Sequence, residues 1–452
     1  MAHRSRLTIA WLAALLAVLV DPIGIRSAPA QVFNPESFTL SNGMQVVLIA
    51  NHRAPIVTHM VWYKVGAADE PPMKSGIAHF LEHLMFRGTK DVAPGDFSKI
   101  VARLGGRDNA FTSYDYTAYF QVIARDRLED VMRLEADRMA NLALTDAVVD
   151  PERDVVREER RQVVENRPHA RLREQMQALL YLNHPYGRPV IGWDHEIANL
   201  TRADALAWYG TWYTPSNAIL IVAGDITAEE LRPLAEKYYG RLKGGQVPPR
   251  LRPQEPPPQA ARRVELKDAR VRHPTLTRLW LAPSYTAGER EHAYALQVLS
   301  ELLGGAATSR LYRTLVIDKQ LATSAGTWYE PDMLDLSSFG LSANLRPDAD
   351  MRALEAAIDA EIERLLKEGI EAEEVERAKK RMRAAAAYAR DELSTGARVI
   401  GTALATGQTI ADVEAWPERI AAVTPAQVIA AARHVLRPER SVTGLLLPEP
   451  SS

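Results

Sequence analysis

A proline-rich stretch divides this chain into two parts of similar length. Residues 243–262 (KGGQVPPRLRPQEPPPQAAR) contain two glycines and six prolines. Because proline lacks a backbone N–H and fixes φ, such a stretch sustains neither helix nor sheet and is typical of a semi-rigid, extended linker. The chain has 452 residues, which is also too long for one ordinary hydrophobic core. We therefore predict two domains, residues 31–242 and residues 263–452.

The two parts are similar to each other in sequence. Residues 297–305 (QVLSELLGG) occupy the place in the second part that residues 79–87 (HFLEHLMFR) occupy in the first. Residues 423–438 repeat the pattern of residues 200–215 in the same way. This pattern predicts two divergent copies of one fold.

Composition and charge exclude several classes of partner and chemistry. The chain carries 55 basic and 57 acidic residues, so its net charge of -2 gives no reason to expect nucleic acid or an anionic membrane. It has no cysteine, which excludes disulfides, thiolate metal ligands and cysteine nucleophiles. Any metal must therefore be held by nitrogen and oxygen atoms.

The N-terminus has the features of an export signal. Basic residues at positions 3–6 precede an apolar run at 7–20, and residues 28–30 (APA) suit a signal peptidase. The alternative is an uncleaved anchor, but the run is shorter than the roughly 20 residues of a membrane span. We expect residues 1–30 to be removed, with no stable membrane insertion afterwards. The protein is then exported, and periplasmic if its source is a Gram-negative bacterium.

Two histidines and a glutamate in residues 76–89 (GIAHFLEHLMFRGT) predict a metal site. His79 and His83 are four residues apart, so a helix places both imidazoles on one face. Glu82 lies close to that face, where a carboxylate could accept a proton from an attacking water. The alternative is that the two histidines share a helix face by chance, as ordinary core or surface groups.

A charged segment, residues 147–166, reads as a helix that could supply a third ligand. Seven residues are two helical turns less about 20°, so Glu152 and Glu159 point the same way. Glu158 points about 100° away from that line. Helical geometry therefore favours Glu159 or Glu152 over Glu158, unless the segment is simply a solvent-exposed charged face.

The order His79-x-x-Glu82-His83 is the inverzincin signature. With it, the sequence resembles the M16 (pitrilysin-like) zinc metallopeptidases, especially short bacterial members related to the mitochondrial processing peptidase beta subunit. Further stretches carry the resemblance in the family's order: residues 105–106, 109–113, 152–159 and 184–187.

The resemblance implies an α+β fold of two homologous α/β-roll (LuxS/MPP-like metallohydrolase) domains. Each would be a mostly antiparallel sheet covered by helices, and the two would form a clamshell. In the second copy, Gln297 and Glu301 replace the two histidines and Ser300 replaces the glutamate. We therefore expect one zinc ion per chain, held by the first copy.

The resemblance also assigns roles to the residues of the site. It implies that Glu159 joins His79 and His83 as the third zinc ligand, and that Glu152 braces the site. Glu82 would be the general base, accepting a proton from water and delivering it to the leaving amine. The function implied is an exported zinc-dependent endopeptidase acting on peptides or extended segments. The alternative is a non-catalytic M16-like binding or assembly subunit.

Residues 108–123 predict a pair of strands around residues 113–115. In the family, the first of these strands is an exposed sheet edge beside the metal, whose free backbone groups bind the substrate as an added strand. The alternative is an ordinary hairpin interior. The resemblance implies the substrate-binding role for four residues: Asn109, Ala110, Phe111 and Thr112.

Active M16 assemblies also use an arginine and a tyrosine from a domain of the second type to hold the substrate carbonyl. Residues 327–346 contain Tyr329 and Arg346, but not where the family pattern would have the pair. The pair lies either on residues that do not align or on another subunit. We therefore expect a dimer, and favour a heterodimer with a metal-less M16 homologue. The expected substrate is a peptide or an unfolded protein.

Overall fold

The computed structural model describes residues 32–390 and 392–449. The predicted export signal, residues 1–30, and the predicted first mature residue, Gln31, lie outside the described residues. Among the helices of the described part, none combines the length and the apolar character needed to cross a membrane.

The first half of the chain builds a six-stranded sheet in the order β1-β2-β6-β3-β5-β4. The strands are β1 (Glu36–Thr39), β2 (Gln45–Ala50), β3 (Ile56–Tyr63), β4 (Arg107–Thr112), β5 (Thr117–Ala124) and β6 (Ala218–Gly224). The helices are α1 (Ile77–Leu84), α2 (Asp96–Arg103), α3 (Leu128–Asn141), α4 (Asp146–Arg160), α5 (Pro168–Leu180), α6 (Asp194–Ile197), α7 (Arg202–Trp212) and α8 (Ala228–Ala235). Strands β2 and β6 are parallel, and the other neighbours are antiparallel.

The second half builds a five-stranded sheet in the order β7-β11-β8-β10-β9. The strands are β7 (Arg262–Asp268), β8 (Thr275–Ala282), β9 (Ala322–Tyr329), β10 (Ser337–Leu345) and β11 (Ser441–Pro448). The helices are α9 (Ala293–Gly304), α10 (Arg310–Tyr312), α11 (Met351–Glu368), α12 (Ala372–Ala389), α13 (Leu393–Ala405), α14 (Ile410–Glu414), α15 (Trp416–Ala422) and α16 (Pro425–Val435).

The two sheets repeat one topology. Strands β7, β11, β8, β10 and β9 follow the same spatial order as β2, β6, β3, β5 and β4. The single parallel pair, β7 with β11, also stands where β2 pairs with β6. The predicted α+β fold of two homologous domains, each with a mostly antiparallel sheet, is confirmed.

Each half contributes one helix to the other half's sheet. Leu172 and Met176 of α5 pack with Leu279 of β8 and Leu446 of β11 in one buried cluster. In the opposite direction, α13 packs on β3 and β6 around the buried Trp62. A Cβ atom at Gly401 would lie 2.1 Å from the Trp62 ring, so only glycine allows this approach. Helices α5 and α13 were not predicted from the sequence, because their apolar faces match a sheet that is distant in sequence.

The proline-rich stretch is tied to both halves. It has no helix or strand until β7 begins at Arg262, the last residue of the predicted linker. The Arg252 guanidinium lies 2.9 Å from Asp69 and 2.6 Å from Asp115 in the first half. It also lies 2.9 Å from Asp335 in the second half. Because Arg252, Asp69 and Asp115 are almost fully buried, this cluster anchors the linker.

Candidate metal centre

The short helix α1 carries the two histidines because its other face is apolar. Ile77, Phe80, Leu81 and Leu84 are buried in the first core. These residues recur at the three- and four-residue spacing that defines one face of a helix. His79, Glu82 and His83 are only partly buried. Because the apolar face packs into the core, these three residues lie on the other side of the helix.

The side chain of Glu70, which is buried, binds the N-terminus of this helix. Glu70 accepts hydrogen bonds from the backbone N–H groups of Gly76 and Ala78, each at 3.0 Å. Helix N-termini have free N–H groups and favour a negative charge nearby. Burial nevertheless raises the pKa of Glu70 to about 8, although the two hydrogen bonds lower it. Gly76 itself has φ of 90°, and a Cβ there would lie 2.6 Å from the Ile191 carbonyl.

Side chains from α1 and α4 converge on one point. Oε2 of Glu159 lies 3.2 Å from Nε2 of His83 and 3.7 Å from Nε2 of His79. One ligand atom from each of the three lies within 4.8 Å of the others. Ligand atoms around a tetrahedral zinc ion are about 3.3–3.6 Å apart when the bonds are about 2.0–2.2 Å long. Two nitrogens and one oxygen at these separations fit a zinc ion with an open fourth position.

Glu158 and Glu159 of α4 have different surroundings. The helix spans Asp146–Arg160 and continues as one π-helical turn, Arg161–Glu165, so the predicted helix at 147–166 is present. Glu158 accepts hydrogen bonds from Arg161 at 2.8 Å and Gln162 at 3.1 Å, and half of its side chain is exposed. Glu159 instead faces the histidines, so the structure places Glu159 and not Glu158 at the site.

Glu152 lies behind His83. Its Oε1 accepts a hydrogen bond of 2.9 Å from Nδ1 of His83, and only 5% of its side chain is exposed. A carboxylate in this position fixes the imidazole with its proton on Nδ1 and leaves Nε2 free for a metal. Oε2 of Glu152 pairs with the Arg87 guanidinium. Arg87 lies three residues beyond Leu84, the last residue of α1, so helical spacing could not predict this contact.

The imidazoles differ strongly in basicity when no metal is bound. Burial lowers the pKa of His79 to about 4, assisted by the charge of His83. Burial also acts to lower the pKa of His83, but the hydrogen bonds that His83 donates to Glu152 and Glu159 outweigh it and raise the pKa to about 9. The atom that binds a metal must be deprotonated, so a metal ion binding here displaces the proton on Nε2 of His83 and leaves the proton on Nδ1.

A residue of strand β4 forms a hydrogen bond with Glu82. The Thr112 hydroxyl donates a hydrogen bond of 2.5 Å to Oε2 of Glu82. Burial raises the pKa of Glu82, and the bond from Thr112 lowers it in part. Thr112 is the last residue of β4, so the end of that strand positions the carboxylate.

Strand β4 lies at the edge of the first sheet. In the described part of the chain it pairs only with β5, so no strand covers its outer side; the Asn109 side chain accepts a 2.9 Å hydrogen bond from the backbone N–H of Ala110. Ala110 packs toward the core that contains α1, whereas Phe111 packs on the opposite face against Trp62. The four residues predicted to bind substrate, Asn109, Ala110, Phe111 and Thr112, therefore form an edge strand and not a hairpin interior.

The equivalent positions in the second half are engaged in other contacts. Trp416 donates a 3.0 Å hydrogen bond to Gln297, and Glu301 pairs with Arg381 at 2.6 Å. The Ser300 hydroxyl lies 3.3 Å from that of Thr327. Within residues 32–390 and 392–449, the group of His79, His83 and Glu159 is the one cluster with metal-ligand geometry. The hydroxyl of Tyr329, considered for the family's tyrosine, donates to the Pro283 carbonyl at 2.5 Å.

Comparisons with known proteins agree with this geometry. Residues 45–194 match the family model described as insulinase (peptidase family M16), and residues 199–382 match that of the peptidase M16 inactive domain. The chain is 36% identical over 373 residues to zinc protease PqqE of Helicobacter pylori, covering 81% of this chain and 82% of that protein.

Two solved structures have the same fold. The crystal structure of a protease from Helicobacter pylori matches with a TM-score of 0.85 at 31% identity, covering 92% of this chain and 99% of that chain. The periplasmic protease PqqL of Escherichia coli matches with a TM-score of 0.78 at 20% identity, covering 92% of this chain and 48% of that chain.

Both halves of the chain thus match M16 models, and the first half carries the converging histidines and glutamate. The similarity to zinc protease PqqE extends over most of both sequences. This chain belongs to the M16 (insulinase) family of peptidases.

Proposed function

We propose that this chain is an exported, zinc-dependent endopeptidase that hydrolyses peptides or extended segments. The observation that carries the proposal is the convergence of His79, His83 and Glu159 from two helices, with Glu82 beside them. The name of the relative, zinc protease PqqE, supports zinc and the peptidase class. One zinc ion per chain follows from the single ligand cluster in the described residues.

In this proposal, Glu82 moves the proton of the reaction. A zinc ion held by His79, His83 and Glu159 would supply a Lewis acid for water and for the peptide carbonyl. Glu82 accepts the proton that the attacking water loses, and then transfers it to the leaving amine. Burial supports this role, because it raises the pKa of Glu82 above its ordinary value and so makes the carboxylate a stronger proton acceptor. The Thr112 bond to Oε2 keeps the carboxylate in a fixed orientation.

The free edge of β4 would bind the substrate backbone. An extended peptide can add to such an edge as one more strand, with main-chain hydrogen bonds giving affinity regardless of sequence. Thr112 belongs to this edge and also bonds Glu82, so a bound peptide passes close to the general base. This arrangement favours flexible or unfolded segments over folded proteins, since only an extended chain can pair with the strand.

The export part of the proposal comes from the N-terminal sequence alone. The basic, apolar and small-residue segments within residues 1–30 follow the pattern of a cleavable signal. N-terminal sequencing of the protein isolated from its native host tests this. A mature N-terminus at Gln31 is expected, and an intact Met1 in an exported or membrane fraction would indicate an uncleaved anchor.

We further propose that the chain works as a dimer, in which a metal-less M16 homologue is the favoured partner. The fold match covers 48% of PqqL, so a chain of this kind is about half of that longer polypeptide. A second chain would supply the remainder here. Measurement of mass in solution and of peptidase activity with the purified chain alone tests this. Full activity of a monomer would contradict the dimer, and full activity of a homodimer would contradict the need for a homologue.

The central experiment measures zinc content and peptide cleavage side by side. We expect Glu82→Gln to retain zinc and lose cleavage of a flexible peptide, because it keeps the side-chain shape but not the proton acceptor. Glu159→Gln and His79→Ala should lose zinc and activity together. Glu158→Gln is the matched control, since the Glu158 carboxylate bonds Arg161 and Gln162 and does not face the histidines. An active Glu82→Gln protein would disprove the assigned role.

The alternative is a non-catalytic binding or assembly subunit with the M16 fold. The match of residues 199–382 to an inactive-domain model fits both readings, because that half lacks the ligands in either case. The same measurements separate the two. A purified protein without zinc, which cleaves no peptide when zinc is added, would support the alternative.

A further inference from the structure

A cavity of about 840 Å³ lies between α5 and the second sheet. Its floor is formed by β8 and β10, where the uncharged polar residues Thr275, Thr277, Ser337, Ser338, Ser342 and Asn344 line it. The charged residues Arg173, Glu174 and Glu330 also line the cavity. Its roof is formed by α5. The volume falls within the range of about 300–1,000 Å³ that is typical of ligand sites.

Small side chains on the sheet create this cavity. Thr277 stands opposite Ser342, and Thr275 stands opposite Asn344, so one face of β8 and β10 presents a patch of hydroxyl and amide groups. At β11 the same helix packs tightly, since a Cβ at Gly444 would lie 2.2 Å from the sulfur of Met176. Helix α5 therefore lies close to β11, but it leaves a gap over β8 and β10, where the side chains are small.

Two residues of the cavity wall are linked to elements that carry the metal centre. Tyr114 is part of its wall and follows Thr112, the end of β4, by two residues, which span at most about 7 Å. Glu174 is part of the wall as well, and it lies 2.9 Å from Arg160, the residue after Glu159. A peptide that pairs with β4 and continues past Thr112 therefore reaches the cavity within a few residues.

We propose that this cavity binds the part of an extended peptide substrate that continues beyond the Thr112 end of β4. The inference rests on the proposed peptidase function. The hydroxyl and amide groups of the floor suit a peptide backbone and uncharged polar side chains. The apolar wall, which includes Leu172 and Met333, suits apolar side chains. Substrates long enough to fill both places are bound better than substrates that fill β4 alone.

Plugging the cavity tests this. Ser342→Phe places a large side chain into the cavity at a strand position that tolerates aromatic residues. Thr277→Leu is a smaller plug on the neighbouring strand, in case the first variant does not fold. Thr323→Phe is the matched control, because Thr323 is exposed on β9 and is not part of the cavity wall.

The assay starts from a short peptide of six residues, which is the length of β4. It compares this peptide with the same peptide extended by several residues at one end or the other. For the parent protein, one extended peptide should have a KM about tenfold lower than the short one, equivalent to about 1.4 kcal/mol. Ser342→Phe should remove that advantage at equal zinc content, and Thr323→Phe should keep it. The proposal is overturned if neither extension lowers KM, or if both plugs leave the advantage intact.

Binding to the Glu82→Gln protein separates this inference from the peptidase proposal. Fluorescence anisotropy with labelled peptides measures affinity without any cleavage. Tighter binding of the extended peptide, lost in Glu82→Gln with Ser342→Phe, supports the cavity even if the parent protein cleaves neither peptide. Equal binding of the short and extended peptides overturns it even if the parent protein is an active peptidase.

Discussion

Nδ1 of His83 lies 2.9 Å from Oε1 of Glu152, and the second oxygen of that carboxylate pairs with Arg87. His83 lies in the last turn of α1 and Arg87 lies three residues beyond its end, and a single carboxylate from α4 bonds both. The interaction joins the two helices that carry the proposed ligands. It also orients Nε2 of His83 toward Glu159.

We predict that Arg87→Met weakens zinc binding about 10- to 100-fold, the usual effect of losing a group that orients a metal ligand. Without Arg87, Glu152 is free to rotate and His83 is no longer held. Competition with a chelator measures the zinc dissociation constant. Arg161→Met is the control, because Arg161 pairs with the exposed Glu158. Equal affinities for the parent and Arg87→Met would exclude this role of Arg87.

Thr112→Val should lower kcat and move the acidic limb of the kcat/KM profile to higher pH. The hydroxyl stabilises the ionised form of Glu82, so its removal raises the pKa of Glu82 further. A higher pH is then needed to keep Glu82 deprotonated. Thr112→Ser retains the hydroxyl and should restore the parent profile. A Thr112→Val profile identical to that of the parent would show that the bond does not act on Glu82.

Glu70 should make stability depend on pH. Burial raises the pKa of Glu70 in the folded protein to about 8, above its ordinary value of 4.5. The folded state therefore holds a proton that the unfolded state releases, so stability falls as pH rises from about 4.5 to about 8. Glu70→Gln mimics the protonated form and should remove this contribution.

Thermal unfolding of the parent and of Glu70→Gln across this pH range measures the effect. The melting temperature of the parent should fall relative to that of the variant as pH rises. A difference that stays constant between pH 5 and pH 8 would mean that Glu70 does not titrate in that interval.

Arg252→Met should destabilise the protein by about 3 kcal/mol, since it removes one of the two guanidinium groups paired with the buried carboxylates of Asp69 and Asp115 and leaves them only Arg250. Denaturant unfolding provides the measurement. Arg263→Met is the control: Arg263 forms a more exposed pair with Glu355, and such pairs contribute about 0–1 kcal/mol. Similar losses for the two variants would show that the buried cluster does not anchor the linker.

Local pattern alone was enough for the features that depend on near neighbours in sequence. The four-residue spacing of His79 and His83 predicted their common helix face, and the repeated segments predicted two copies of one fold. The strand pair at 108–123 is present as β4 and β5. Helical spacing also separated Glu158 from Glu152 and Glu159, because an α-helix has one repeat whatever it packs against.

Only the tertiary structure decided the relations between distant residues. Helical spacing left Glu152 and Glu159 equivalent, and the packing of α4 on α1 set Glu152 against Nδ1 and Glu159 against Nε2 of His83. The bond from Thr112 to Glu82 and the crossing of α5 and α13 between halves have the same origin. Such contacts depend on how whole elements pack, and the periodicity of a single segment carries no record of its distant partner.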